Sequence, residues 1–555
     1  MELLEKHFDT AFAAPDGVKK LRELILTLAM QGKLVEQDPN DQPASELLKK
    51  IEAEKTRLVK EGKIKKPKPL PEIKANELPY SLPDGWKWVR LGEIGLINPR
   101  NDAGDSELAG FVPMPLIPEG YSEHHKFEER EWGEIKKGYT HFAEGDVGMA
   151  KITPCFENAK SCVFSGLPNG IGAGTTELHI FRNSFNSVIP RFLLCYLKNP
   201  NYIAKAVPNM TGSAGQKRVP TPYFKEQLFP LPPLKEQDRI VAKIDQLMAR
   251  CDELEKLRMD KEQMRLDVHT AALRKLLDSQ EQNSFADAWG FLTKHFGDLY
   301  SVKENVAELR KAILQLAVMG KLVEQDPNDQ PASELLKEIE AEKARLVKEK
   351  KIKKPKALPK IKDDEIPYDL PNGWEWVRFF TLGTVKSELV SALDHPTEQQ
   401  IAPDIIEKGT GRLVGKRTVE EAGTKGPNNK FYAGQLLYSK IRPSLNKAVI
   451  APYDGLCSAD MYPIIPHVDP EYTIKAILSE PFLVQVRKEE NRVKMPKLNL
   501  QSLGNIIVPL PPLSEQHRIV IKVDQLMTLC DDLEQKIDAK TSTQTKLLNA
   551  VMAQV

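Results

Sequence analysis

The residues from Gly32 to Lys49, GKLVEQDPNDQPASELLK, recur without a single change from Gly320 to Lys337, 288 positions later. A repeat this long constrains the fold before any helix or strand is assigned, because both copies must fold alike in like surroundings. At the same offset Lys6-His7-Phe8 meets Lys294-His295-Phe296, and Val18, Leu21, Ile25 and Leu28 meet Val306, Leu309, Ile313 and Leu316. Leu82-Pro83-Asp84-Gly85-Trp86 meets Leu370-Pro371-Asn372-Gly373-Trp374. A second repeat pairs Pro230-Leu231-Pro232-Pro233-Leu234-Lys235-Glu236-Gln237 with Pro509-Leu510-Pro511-Pro512-Leu513-Ser514-Glu515-Gln516. Behind it, Arg239-Ile240-Val241 and Asp245-Gln246-Leu247-Met248 return as Arg518-Ile519-Val520 and Asp524-Gln525-Leu526-Met527, and Cys251 falls on Cys530. The stretches between, about 91–230 and 379–508, resemble each other only faintly. The order is shared, variable, shared, variable, shared, and the central block joins both repeat types end to end. Two like modules in pseudo-twofold arrangement follow, provided the chain ends come together.

Composition narrows the class. At 555 residues the chain has room for roughly three or four domains. No apolar run approaches the ~20 residues of a membrane helix, and the N-terminus lacks a secretory pattern. Six scattered cysteines without a Cys-x-x-Cys pair suggest neither a disulfide framework nor zinc, so a cytoplasmic protein with reduced thiols is expected. The formal net charge of +1 excludes nucleic-acid binding by bulk electrostatics alone. Any DNA binding requires local patches or a partner.

The stretch from Lys235 to about Ser279 carries Ile240, Ile244, Leu247, Cys251 and Leu254 at three-four spacing, an amphipathic helix with a coiled-coil-like seam. At ~1.5 Å per residue it spans roughly 60 Å. Its copy shows Val520, Val523, Met527, Cys530, Leu533 and Ile537. A shorter helix through Val18–Leu28 ends at Gly32. Asp38–Pro43 is a turn-rich loop, and a further helix follows from Ala44 to Glu61. Lys63–Pro71 and Lys351–Pro359 are solvated linkers. The variable stretches read as mixed α/β, with strands at Gly145–Ile152 and Gly434–Ile441 and helices at 190–206 and 474–486.

Several motif-like strings lead nowhere. Gly170-Ile171-Gly172-Ala173-Gly174 lacks the third glycine and the helix of a nucleotide loop. Gly409–Lys416 has the wrong spacing for a phosphate loop, and Arg417 stands where a magnesium-binding hydroxyl belongs. Asn199-Pro200-Asn201-Tyr202 misses the third position of the adenine-methyltransferase motif. Pro83-Asp84 with Glu134 and Lys136 suggests a nuclease, but Asn372 replaces Asp84 in the other copy. Trp86, Trp88, Trp374 and Trp376 suit core packing better than base stacking. No catalytic, cofactor or metal residue is therefore assigned.

The paired Pro-Leu-Pro-Pro-Leu-x-Glu-Gln-x-Arg-Ile-Val blocks at 230–241 and 509–520, with the Leu-Pro-x-Gly-Trp-x-Trp blocks at 82–88 and 370–376, resemble type I restriction-modification specificity (S) subunits along essentially the whole chain. That resemblance implies two α/β target-recognition domains held apart by an antiparallel coiled-coil-like helical spacer. Each domain would read one half of a bipartite, asymmetric duplex-DNA site. It also implies partners: two methyltransferase subunits that methylate adenine, and restriction/translocase subunits. S-adenosylmethionine, ATP and magnesium would be bound in those partners and not in this chain. The matching boundaries are a shared helical region and linker at 1–78, a recognition domain at 79–230, a central shared region at 231–366, a second recognition domain at 367–508, and a shared helix at 509–555.

Within the variable stretches, Lys151-Ile152-Thr153-Pro154 falls in register with Lys440-Ile441-Arg442-Pro443, each six residues after a glycine. A basic residue leaving a strand into a proline turn can reach a phosphate or a groove edge; plain surface charge is the alternative. The loop Thr211-Gly212-Ser213-Ala214-Gly215-Gln216-Lys217-Arg218 offers hydroxyls, an amide and two cations, with Gln suited to adenine and Arg to guanine. Its positional counterpart is Arg492–Asn499, with Arg492, Lys494 and Lys497. The resemblance places this region on the recognition face. Two rivals remain: a single-chain methyltransferase or nuclease, opposed by the missing motifs and tested by assaying the isolated chain, and a coiled-coil scaffold, opposed by two unlike inserts on like supports.

Overall fold

The computed structural model describes residues 8–213, 215–278, 282–352, 354, 357–489 and 496–553. They form two compact units, the first running to Asp260 and including the chain from Lys540, the second covering Lys261–Ala539. The two ends of the chain thus share one unit. Ala11 and Ala14 are buried against Leu548 and Val551, which meets the condition set by the order of the repeats.

In the first unit the strands are β1 (Lys87–Arg90), β2 (Leu96–Ile97), β3 (Leu108–Val112), β4 (Glu128–Glu131), β5 (Thr140–Ala143), β6 (Val147–Ala150), β7 (Ser161–Val163), β8 (Ile171–Gly174), β9 (Leu178–Arg182) and β10 (Leu228–Leu231). β1 and β10 pair antiparallel with Trp88 opposite Pro230. The two sequence blocks that flank the variable stretch are therefore neighbours, and the insert leaves and returns at one place. A proline, lacking its N–H, is tolerated because this ribbon has only two strands. The insert holds two four-stranded sheets, ordered β2-β9-β6-β7 and β4-β3-β8-β5, in which only β3 and β8 run parallel.

Around that ribbon the shared residues form a frame. The helices Gly17–Met30 and Ala44–Lys60 pack with the long helix Leu234–Asp278, whose Ile240, Ile244 and Cys251 are buried. Trp86 Nε1 donates to Glu236 at 2.9 Å, and Gln37 donates to the other Glu236 oxygen at 3.2 Å. Arg239 pairs with Asp41 at 2.7 Å, and Arg22 reaches Asp252 and Glu255. Gly32 has φ +68°, and a Cβ there would lie 2.4 Å from the Pro83 ring, so this helix stop accepts only glycine.

The second unit repeats this frame. Its strands are β11 (Glu375–Arg378), β12 (Gly383–Val385), β13 (Leu389–Ser391), β14 (Gln400–Ile401), β15 (Pro427–Phe431), β16 (Leu436–Ser439), β17 (Ala448–Ile450), β18 (Gly455–Ser458), β19 (Met461–Pro466) and β20 (Ile507–Leu510). β11 pairs with β20, Trp376 opposite Pro509. Trp374 donates to Glu515 at 2.9 Å, Gln325 to the same carboxylate at 3.1 Å, Arg518 to Asp329 at 2.6 Å, and Arg310 to Asp531 at 2.6 Å. The sheets are ordered β12-β19-β16-β17 and β13-β15-β18-β14. A second long helix runs Leu513–Met552, with Ile519, Val523 and Cys530 buried.

Two expectations need adjustment. Each expected helix inside the inserts is two helices, Pro190–Leu197 with Pro200–Ala206 and Pro470–Leu478 with Glu480–Lys488. Proline near the start of each second piece ends the first, because its ring excludes the preceding turn. Among the described residues the linker lysines are exposed, yet the linkers end tied to the frame: Arg90 donates to the Pro71 carbonyl at 2.7 Å and Arg378 to that of Pro359 at 3.1 Å.

Candidate nucleic-acid interface

Gly145 and Gly434 have φ of +80° and +83°, the left-handed turn that starts β6 and β16. Each strand ends with its lysine leaving the sheet. The amide of Lys151 donates to the Glu177 carbonyl at 2.9 Å, and that of Lys440 to the Asp460 carbonyl at 2.9 Å. The loop behind then closes on the same strand. In the first unit Val219 N–H donates to the Lys151 carbonyl and Thr153 N–H to that of Lys217; in the second, Leu498 N–H donates to Lys440 and Arg442 N–H to Pro496. Bridges Ile152 to Arg218 and Ile441 to Lys497 complete the match. Lys151, Thr153, Lys217 and Arg218 therefore share one surface of the first unit, and Lys440, Arg442 and Lys497 share the equivalent surface of the second.

This register corrects the sequence alignment by two positions. Arg218 corresponds to Lys497, not to Asn499. Insertions and deletions between the bridging strands defeat any fixed offset, which falls from 289 between Lys151 and Lys440 to 279 between Arg218 and Lys497. Arg492 and Lys494 lie outside the described residues.

Thr211 and Arg218 exchange both backbone hydrogen bonds, at 2.9 and 2.7 Å, so the loop is a tight hairpin. Its tip closes with Gln216 N–H on the Ser213 carbonyl at 3.0 Å. Thr211, Ser213, Gln216 and Lys217 are exposed. Lys151 is half-buried and makes no side-chain hydrogen bond among the described residues, whereas Lys440 Nζ donates to the Ala459 carbonyl at 2.6 Å and lies over the Tyr462 ring. Arg442 is exposed in a left-handed conformation with φ 45°.

Sequence reasoning missed an acid at the centre of each surface. Arg218 is not free: its Nε and Nη2 fork onto the Glu177 carboxylate at 2.8–3.1 Å, and its Nη1 donates to the Gln216 carbonyl at 3.0 Å. That hydrogen bond holds the Glu177 carboxyl below its usual range and raises the arginine. In the second unit Lys497 pairs with Asp460 at 3.2 Å and Lys440 approaches it at 3.8 Å. The acids sit on matched turns. Glu177 N–H donates to Thr175 Oγ1 and Asp460 N–H to Ser458 Oγ, both at 3.2 Å. A Thr-x-Glu or Ser-x-Asp turn just before a strand was the available signal. Each cluster holds three cations and one carboxylate: Lys151, Lys217 and Arg218 with Glu177, and Lys440, Arg442 and Lys497 with Asp460.

The motif-like strings have structural explanations. Gly172 and Gly174 lie in β8, where a Cβ would meet the Gly110 and Val112 carbonyls at 2.5 and 2.2 Å. Asn199 caps the helix Pro200–Ala206 by accepting from Asn201 N–H at 2.8 Å. Among the described residues no His, Cys, Asp or Glu cluster is arranged to hold a metal, and no helix is long and apolar enough to cross a membrane.

Comparison with known proteins gives one consistent result. The profile of the type I restriction modification DNA specificity domain matches residues 83–262 and 404–541. The chain is 43% identical to the type I restriction enzyme EcoAI specificity subunit of Escherichia coli, over 96% of this chain and 93% of that one. It is 39% identical to the EcoEI specificity subunit of the same organism, over the same shares. The crystal structure of the HsdS subunit from Thermoanaerobacter tengcongensis aligns at 18% identity and a TM-score of 0.44, covering 85% of this chain and 98% of that one.

Proposed function

The chain belongs to the type I restriction-modification DNA specificity family, and from that premise we propose that it reads a bipartite, asymmetric duplex-DNA site for a methylating and restricting complex. The observation that carries this reading is that two frames with the same ion pairs and the same Trp-to-Glu bond hold two different inserts. A protein that needed one activity twice would have no use for unlike inserts; one that reads two different half-sites requires them. We assign the recognition domains to 79–230 and 367–508, joined by the shared regions 1–78, 231–366 and 509–555.

In this reading the half-buried Lys151 and the exposed Lys217 and Arg442 position the DNA by its phosphates, which carry no sequence information. Gln216 and Arg218 in the first domain, and Lys497 in the second, face base edges. Thr153, Thr211 and Ser213 supply hydroxyls along the same surfaces. The long helices Leu234–Asp278 and Leu513–Met552 set the gap between half-sites and dock two methyltransferase subunits. Adenine methylation with S-adenosylmethionine, and restriction with ATP and magnesium, belong to those partners and to the restriction subunits. The chain itself is not catalytic.

The test is a domain exchange. Residues 91–229 are replaced by the equivalent stretch of a relative, the chain is expressed with its methyltransferase subunit, and methylated adenines are mapped by single-molecule sequencing. One half-site changes and the other is retained. A map in which both halves change, or neither does, rejects the modular reading.

A further inference from the structure

We infer that Glu177 is a specificity-positioning residue: its carboxylate buttresses Arg218 so that the guanidinium presents two parallel N–H groups to a guanine in the first half-site. The inference rests on the proposed DNA-reading role. It concerns a residue that the loop's own sequence does not contain.

The argument begins with donor arithmetic. A guanidinium has five N–H donors in a fixed plane. Glu177 takes the edge formed by Nε and Nη2, and the Gln216 carbonyl takes one hydrogen of Nη1. One hydrogen on each Nη remains, and with the Gln216 carbonyl on the Cδ side of Nη1 these two would lie side by side on the outer edge. That pair matches the O6 and N7 acceptors of guanine in the major groove. Arg218 is 41% exposed at the side chain while Glu177 is 24% exposed, so the buttress lies deeper than the group it supports. The Thr175 hydroxyl accepts from the Glu177 backbone N–H and fixes the turn from which the carboxylate projects.

Charge points the same way. A lone cation on a surface loop settles on phosphate, releasing a counterion and steepening the salt dependence of binding. A cation with a carboxylate at 2.8 Å is largely neutralised, and the carboxylate itself repels the backbone. The pair is therefore a poor phosphate clamp and a suitable reader of a base edge. The second unit keeps the acid, Asp460, and replaces the fork with the single-point donor Lys497. Arg218 requires two aligned acceptors and Lys497 does not, so the demand for guanine belongs to the first half-site.

The experiment uses the full chain in complex with its methyltransferase subunit. E177A, E177Q and R218K are each compared with the parent by methylation mapping and by binding to the cognate duplex across a salt series. In E177A and E177Q, preference for guanine at one position of the first half-site falls on the order of tenfold or more, the second half-site is unchanged, and the log-log salt slope steepens by about 0.9 as the released arginine finds a phosphate. R218K relaxes the same position, because an ammonium cannot make two parallel bonds. E177Q keeps the shape of the turn, so it reports even if E177A folds poorly. An unchanged motif and slope in a folded E177Q complex overturns the inference, as does an R218K map identical to the parent. If the 91–229 exchange moves the first half-site while E177Q moves nothing, the buttress alone fails. If the exchange moves neither half-site, the inference fails together with the DNA reading beneath it.

Discussion

The first insert places Lys217 where the second has Pro496, and the second places Arg442 where the first has Thr153. The two positions in each unit are joined by the same backbone bond, Thr153 N–H to Lys217 and Arg442 N–H to Pro496. One cation has crossed from one side of a bridge to the other while the total charge around the central acid stays the same. The sheets differ in a similar way. β3-β8-β5 and β14-β18-β15 share one pairing pattern, but the fourth strand is added beside β3 in the first unit and beside β15 in the second. The frame repeats its ion pairs and its Trp-to-Glu bond, whereas the inserts keep a topology and a charge inventory and vary their placement. Constraint thus sits in the frame and in the local electrostatics, and recognition is free to differ in geometry.

The largest effect tests whether the frames are equivalent. Trp86 and Trp374 are 4% and 6% exposed, and each donates to a glutamate on a long helix. W86A and W374A each remove a large buried ring and take one of two side-chain donors from a buried carboxylate, leaving it only Gln37 or Gln325, at a cost of about 3–5 kcal/mol. Hydrogen exchange should accelerate at β1 and β10 in W86A and at β11 and β20 in W374A. Acceleration of both ribbons by either variant breaks the equivalence.

A smaller difference between the inserts appears in acid. His179 is 1% exposed, stacks on Phe224 at 5.0 Å, and donates from Nε2 to the Val219 carbonyl at 2.7 Å. Burial lowers it to about 4. His467 is also lowered to about 4 by burial, but it is more exposed. Below about pH 6.5 the unfolded chain binds protons that these folded imidazoles refuse, so stability is complete above that pH and declines as pH falls. Between pH 6.5 and 5 each insert loses about 2 kcal/mol through its own histidine, and the first loses more because burial also lowers His125 and His141. H179F removes that part of the pH dependence. If denaturation profiles at pH 5 and 7 shift alike with and without His179, the assignment is wrong.

The smallest effect separates the matched lysines. Lys440 is held by the Ala459 carbonyl; Lys151 has no such tether among the described residues. K440A should cost about 1 kcal/mol of stability and change the salt slope little. K151A should leave stability alone and lower the slope by about 0.9. The reverse pattern would mean that the two positions, alike in sequence, have exchanged roles.

Much of this was legible beforehand. The exact repeat fixed the frame, three-four spacing located the long helices and buried Cys251 and Cys530, and the offset of 289 aligned Lys151 with Lys440. The acids were not legible. Glu177 and Asp460 stand far from their cations in sequence, at an offset of 283 that matches neither shared block. Only the folded backbone brings Arg218 back across Glu177. The split of each insert helix was written in Pro200 and Pro481, and a stricter weighting of proline would have found it.

Because β1 lies against β10 and β11 against β20, the chain enters and leaves each insert at a single seam. Heredity can then treat the insert as one exchangeable cassette. A gene in which the coding stretches for the two seams are shared with a neighbour's can take a whole new reading head in one exchange, provided the new insert meets the frame as Ile189 meets Gln237. Diversity among such genes should therefore come in whole-domain steps, with point substitution as the slower route.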